Sequence, residues 1–159
     1  MTPTQRAEAR SKEPVSRCLI RHLLVPCVYW DALWPASEPS VDLLAIDRAG
    51  TGDIHIVEIK RRAADAIKAI PQLMRRPAHY RWIAFFADTA DRKIENALLG
   101  PRVLFPSEGP GRIGVIEIVR KTVDTLSANI KIPAERFPGA LDEQAESFKA
   151  ANKPDISFD

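Results

Sequence analysis

Apolar positions along this chain recur with two periods, and each change of period marks a new element. After Pro14, the positions Val15, Cys18, Leu19, His22 and Leu23 fall three or four apart, which predicts a first helix over about 13–24, ended by Pro26. "CVYW" reads as a short first strand, and the loop "PASEPS" breaks regular structure with two prolines and two serines. Two apolar runs joined by a glycine-containing turn follow in "VDLLAIDRAGTGDIHIVEIKRR", residues 41–62. The helical period returns in "AADAIKAIPQLMRR", where Ala66, Ile67, Ile70, Leu73 and Met74 form a stripe and Pro71 predicts a kink or a fresh helical start. "YRWIAFFAD" suits a buried strand, "DRKIENALLG" a helix closed by Gly100, and "RIGVIEIVR" and "SANIKIP" two more strands.

Strands alternating with helices predict an α/β sandwich. A chain of 159 residues has room for one domain with a real core. That domain is expected over 13–135, after a polar arm or frayed helix over 1–12 and before a weakly patterned, partly helical or loosely ordered tail over 136–159. There is no internal repeat.

The pattern is broken where Asp42, Glu58 and Lys60 interrupt the two runs. If the turn is symmetric about Gly50, residues whose numbers sum to one hundred face each other. Leu44 then opposes Ile56, Ile46 opposes Ile54, Asp47 opposes Asp53, and Asp42 opposes Glu58. By period-two alternation Asp42, Glu58 and Lys60 share one face, while Leu43, Ala45, Val57 and Ile59 make an apolar face that receives a helix. Directly opposed like charges are destabilising, so two carboxylates here require a proton or a cation. The cation is either Lys60, roughly 6.6 Å along the strand from Glu58, or a hard divalent metal that favours carboxylate oxygens and water.

Composition narrows the class. With 45% apolar and 28% charged residues, the chain has the balance of a soluble globular protein. Its apolar runs are too short to cross a bilayer and its first residues lack the apolar core of a secretory signal, so a cytoplasmic location is expected. Cys18 and Cys27 are too few for a disulfide framework and read as buried thiols. A net charge of +2 indicates little, but its distribution is uneven: Arg61, Arg62, Lys68, Arg75 and Arg76 cluster after the charged strand, whereas the end of the chain is acidic. His22, His55 and His79 lack metal-ligand spacing, with His55 on the face away from the carboxylates. Trp30, Trp34 and Trp82 are expected in the core. Glu117, within "GVIEIV", is a further buried-looking charge.

Val41-Asp42 followed by Val57-Glu58-Ile59-Lys60 resembles the signature of the PD-(D/E)xK nuclease superfamily, over approximately residues 13–119. The resemblance implies a restriction-endonuclease-like αβββαβ core, with a central mixed sheet of about four to six strands flanked by helices. It implies that Asp42, Glu58 and the backbone of Ile59 bind Mg²⁺ or Mn²⁺ and that Lys60 assists the attacking water; the expected substrate is a nucleic acid, with DNA favoured over RNA. A first-helix glutamate adds to the metal site in many members; Glu13 is the choice here and Glu8 the alternative. Gln72 matches the glutamine of a Gln-x-x-x-Tyr motif, but Arg76 stands at the tyrosine position and Tyr80 lies beyond Pro77. Arg61, Arg62, Lys68, Arg75 and Arg76 would then hold the nucleic-acid backbone, and a homodimer or larger assembly is expected. The alternative is a catalytically inactive module of the same fold that binds nucleic acid or a partner protein.

Overall fold

A computed structural model describes residues 1–23, 27–34, 39–46, 52–138, 148 and 150–157. The elements in chain order are helix α1 (Pro3–Leu23), strands β1 (Cys27–Ala32), β2 (Val41–Ile46) and β3 (Ile54–Lys60), helices α2 (Ala63–Lys68) and α3 (Ile70–Arg75), and strand β4 (Tyr80–Phe86). They are followed by a 3₁₀ turn (Ala87–Thr89), helices α4 (Arg92–Leu98) and α5 (Pro101–Leu104), and strands β5 (Gly114–Arg120), β6 (Leu126–Ile132) and β7 (Ile156–Ser157). All strands belong to one sheet in the order β6-β5-β4-β3-β2-β1-β7.

The sheet is mixed, as expected. β1, β2 and β3 form an antiparallel meander, β3, β4 and β5 run parallel, and β6 returns antiparallel. Parallel neighbours require helical crossovers: α2 and α3 supply one and α4 and α5 the other. The central strands are covered on both faces, which is why their sequences are nearly continuous apolar runs. Six strands of six or seven residues, plus the two-residue β7, make an α/β architecture compatible with a restriction-endonuclease-like core.

Two core layers lie on opposite sides of the sheet. On one side Leu43, Ala45, Val57, Ile59, Trp82, Ala84 and Phe86 pack against Val15, Cys18 and Leu19 of α1. On the other, Leu44, Ile46, Ile54, Ile56, Ile83 and Phe85 pack against Ala63, Ala66, Ile70 and Leu73 of α2 and α3. The β2/β3 register is the one expected, with Leu44 opposite Ile56 and Ile46 opposite Ile54. The expected Asp47–Asp53 pairing involves residue 47, and the turn over 47–51, like Pro26, lies outside the described residues.

The first helix is longer than its hydropathy suggests. It begins at Pro3 rather than near Glu13, so the polar opening segment is a regular continuation of α1. Thr2 and Gln5 form a reciprocal capping box: Gln5 N donates to Thr2 Oγ1 at 3.1 Å and Thr2 N donates to Gln5 Oε1 at 2.8 Å. Pro3 then sits at the first helical position, where no N–H is needed. Ala7 and Ser11 extend the packed stripe upstream of Val15. Ser11 escapes a hydropathy reading, yet it is fully buried because its hydroxyl donates to Ala7 O within the helix at 2.7 Å.

The crossover helix breaks where Pro71 demands it. α2 ends at Lys68, Ala69 bridges, and Pro71 is the second residue of α3, where its missing N–H leaves no gap. Asp91 caps α4, its side chain accepting from Ile94 N at 2.8 Å. Cys18 and Cys27 are buried free thiols, and Glu117 is explained by an ion pair with Lys131 at 2.6 Å.

The tail over 136–159 is tied down at several described points. Phe137 is buried in the core. Phe148 meets the rings of Tyr29 and Trp34 edge-on at 4.9 and 5.6 Å. Asp155 accepts from Trp30 N at 2.7 Å and donates its own N–H to Val28 O at 2.9 Å. Ile156 and Ser157 then pair with Val28 and Cys27 of β1, covering the start of an otherwise open sheet edge.

Candidate active site

β2 enters its pairing with β3 through Val41 and Asp42, and the regular ladder runs from Leu43 to Ile46. At Asp42 the ladder is continued by a side chain: Oδ2 accepts from Ile59 N at 2.6 Å. In an antiparallel strand a residue's N–H and C=O point to the same neighbour, so the Ile59 carbonyl faces the β2 side as well. Glu58 is 8% exposed. The side chains of Asp42 and Glu58, which the register places on one face, lie close enough that each shifts the other's pKa.

Two carboxyls this close need a proton or a cation between them. Burial is the main force pushing Glu58 up to about 8; the charge of Asp42 adds to it, and Lys60 and Arg76 oppose it. Burial also raises Asp42, against the Ile59 amide, Lys60, Glu58 and Lys12. At neutral pH the pair therefore shares a proton, carried mainly by Glu58.

Lys60 closes β3 and is half-buried, and its charge acts on Asp42, Glu58 and Glu8. Glu8 rather than Glu13 is the first-helix glutamate beside this cluster. Its Oε1 accepts from Arg61 N at 3.2 Å, and burial together with the charges of Asp42 and Asp65 raises its pKa. Glu13 is exposed and bonds Arg17 four residues on, at 2.8 and 3.0 Å, where it lines a groove with Trp30 and Asp124. Because α1 begins at Pro3, Glu8 and Lys12 occupy successive turns of one helix face. Lys12 bonds both oxygens of Asp31 at 2.7 Å, and its charge is felt at Asp42. Lys12 escaped sequence reasoning; the capping box at Thr2 was the signal that would have put it on this helix.

The basic residues divide. Arg62, Lys68 and Arg75 are exposed. Arg61 is committed to Asp88 by two bonds of 3.0 and 3.2 Å, with its guanidinium 4.3 Å over the Phe86 ring. Arg76 is 3% exposed, so it does not present itself to a polyanion as the sequence suggested. Charge alone did not reveal this, because Arg76 is the residue at which α3 gives way to the buried stretch leading into β4. Gln72 is exposed on α3 and makes no hydrogen bond to the carboxylate pair among the described residues. Tyr80 is on the other side of the sheet, stacked on His55 at 4.3 Å, and His55 also accepts from Trp82 Nε1 at 3.2 Å. Among the described residues no group of three or more His, Cys, Asp or Glu side chains is arranged to hold a metal ion.

No protein-family model and no curated protein matches this sequence. Among solved structures, the chain is similar to a repair endonuclease from Pyrococcus abyssi, at 13% identity and a TM-score of 0.33, over 55% of this chain and 42% of that one. No helix among the described residues is long and apolar enough to cross a membrane.

Proposed function

We propose that this protein is a Mg²⁺-dependent phosphodiesterase acting on DNA, with its chemistry centred on Asp42, Glu58 and Lys60. The observation that carries the reading is the approach of buried Glu58 and half-buried Asp42 on adjacent strands, with a lysine on the same face. Such a pair is costly for a fold unless it has a task, since it must keep a proton or recruit a cation. Mg²⁺ is commonly held by one or two carboxylates, with water filling the remaining positions. Two side-chain carboxylates and a backbone carbonyl on one side of a strand gap fit that preference, and a three-carboxylate cage is not required.

Asp42 and Glu58 would hold the ion, with the Ile59 carbonyl as a further donor. When bound, the ion supplies Lewis-acid polarisation of a phosphoryl oxygen and a lowered pKa for water. The residues of the chain do the remaining work. Ile59 N–H fixes the rotamer of Asp42, so one carboxylate is oriented before any ligand arrives. Lys60 donates hydrogen bonds toward the nucleophilic water and offsets charge that builds on the phosphate oxygens. Glu8, held by Arg61 N–H, borders the cluster from α1. Exposed Arg62, Lys68 and Arg75 supply charge for the nucleic-acid backbone.

The test is cleavage of linear, circular and single-stranded DNA, with RNA alongside, in Mg²⁺ or Mn²⁺ and in chelator. Cleavage that requires the metal and disappears in Asp42→Ala and Lys60→Ala supports the reading. Its absence, or its persistence in the variants, sinks it. A second reading, a non-catalytic module of the same fold, draws on the fact that Lys60 and Arg76 already oppose the carboxylates' charge without metal. Salt-sensitive DNA binding without cutting would select it.

A further inference from the structure

Arg76 is a buried cation with no bonded anion among the described residues. Its Nη1 donates to Trp34 O at 2.7 Å, and Nε has no hydrogen-bond partner among the described residues. No ion pair among those residues includes it, and its own carbonyl accepts from the second buried guanidinium, Arg81 Nη2, at 2.7 Å. A guanidinium taken out of water in this way needs a negative field to hold it. Trp34 and Leu73 beside it belong to the core layer on the carboxylate face of the sheet. Trp34 stands two residues past Ala32, whose partner Val41 precedes Asp42, so the Asp42–Glu58 pair, which keeps one negative charge, supplies the field on that face, and the charge of Arg76 acts on Glu58.

We propose that Arg76 is a positioning residue of the site, a fixed counter-charge that balances the Asp42–Glu58 pair together with Lys60 and so limits how tightly a divalent cation is held. This rests on the cation-binding reading of the pair. The attraction between Arg76 and Glu58 and the repulsion between Arg76 and a cation on Glu58 are one interaction with opposite signs. A site tempered in this way carries surplus positive charge once the cation arrives, and a phosphodiester anion offsets that surplus. Removing the charge should therefore tighten cation binding, whereas losing a merely structural arginine would loosen the site and weaken it.

The experiment is calorimetric titration of the full-length protein with Mn²⁺ at fixed pH and salt, on the wild type, Arg76→Gln, Arg76→Lys and Asp42→Ala, with circular dichroism to establish folding. Gln keeps a donor for Trp34 O and removes the charge; Lys keeps the charge. Expected are Mn²⁺ binding by the wild type that Asp42→Ala abolishes, binding by Arg76→Gln tighter on the order of tenfold, the size of effect one nearby charge has on a carboxylate, and an Arg76→Lys affinity within about twofold of wild type. A folded Arg76→Gln that binds Mn²⁺ equally or more weakly overturns the proposal. If the Gln variant does not fold, a folded Arg76→Lys that loses Mn²⁺ binding overturns it just as well. A wild type that binds no Mn²⁺ overturns the cation reading of the pair itself, an outcome separate from the behaviour of Arg76.

Discussion

Just before β3, Asp53 is 7% exposed; near the far end of the strand, Glu58 is 8% exposed. Burial is the same and the treatment is opposite. Asp53 receives the guanidinium of Arg136 through bonds of 3.2 and 3.3 Å, and His79 lies 3.6 Å away. The His79 nitrogen accepts from Ile54 N at 2.9 Å, so that nitrogen carries no proton and the imidazole is a neutral acceptor there, not a cation paired to Asp53. Around this aspartate the backbone is tied as well, with His79 N donating to Ile54 O and Phe137 N donating to His79 O. Glu58 meets another carboxyl, and the charges opposing it belong to groups the hairpin itself does not contain or to the adjacent Lys60. On the proposed function, a buried carboxylate in this protein is structural or chemical according to the sign of its first partner, and exposure alone does not distinguish the two.

The contrast predicts a separation of effects. Glu58→Gln should abolish metal-dependent cleavage, a loss of roughly a thousandfold or more for a group at the reacting centre, while the melting temperature in chelator stays level or rises. Asp53→Asn should do the reverse, leaving the rate of the folded enzyme near wild type and costing on the order of 2 kcal/mol, since one charge of a mostly buried pair is left alone while Arg136 keeps water. That cost corresponds to a melting shift of about 5 °C. Parallel losses of rate and stability in both variants would dissolve the distinction between the two ends.

The pair's proton makes a second, smaller difference. Glu58 has its ordinary value near 4.5 in the unfolded chain and about 8 in the fold. Between those values the folded state binds a proton that the unfolded state has released, so its contribution to stability falls as pH rises through that window. Metal-free wild type should accordingly lose on the order of 3 kcal/mol more stability than Glu58→Gln between pH 5 and pH 8, measured by denaturant unfolding in chelator. Equal pH slopes for the two proteins would remove the shared proton. Cation affinity should rise over the same window, because binding must displace that proton.

The smallest comparison lies along α1. Glu8→Gln should slow cleavage by about tenfold as a group bordering the site, whereas Glu13→Gln removes an exposed ion pair and should change stability by about 0.5 kcal/mol or less, with no change in rate. Equal rate effects at the two positions would mean that Glu8 borders the site without serving it.

Much of this was open to reading along the chain. The period-two pattern and the glycine turn predicted a register in which Leu44 faces Ile56, and that register brings Asp42 and Glu58 to one face beside Lys60. It was legible because a hairpin is local: pleat and turn decide which side chains meet, with no help from distant segments. The capping box at Thr2 was equally local, and reading it would have extended α1 to Pro3. Other features depended on packing between segments far apart in sequence. Glu8 comes to the site, and Glu13 does not, because of how α1 lies across the sheet. Arg76 is buried because α3 ends against Trp34, some forty residues earlier in the chain. The proton on Glu58 follows from burial in the fold together with the charge of Asp42. The sequence by itself determined which charges share a face; the tertiary structure decided which are removed from water, because solvent exclusion requires every layer of the fold to be in place.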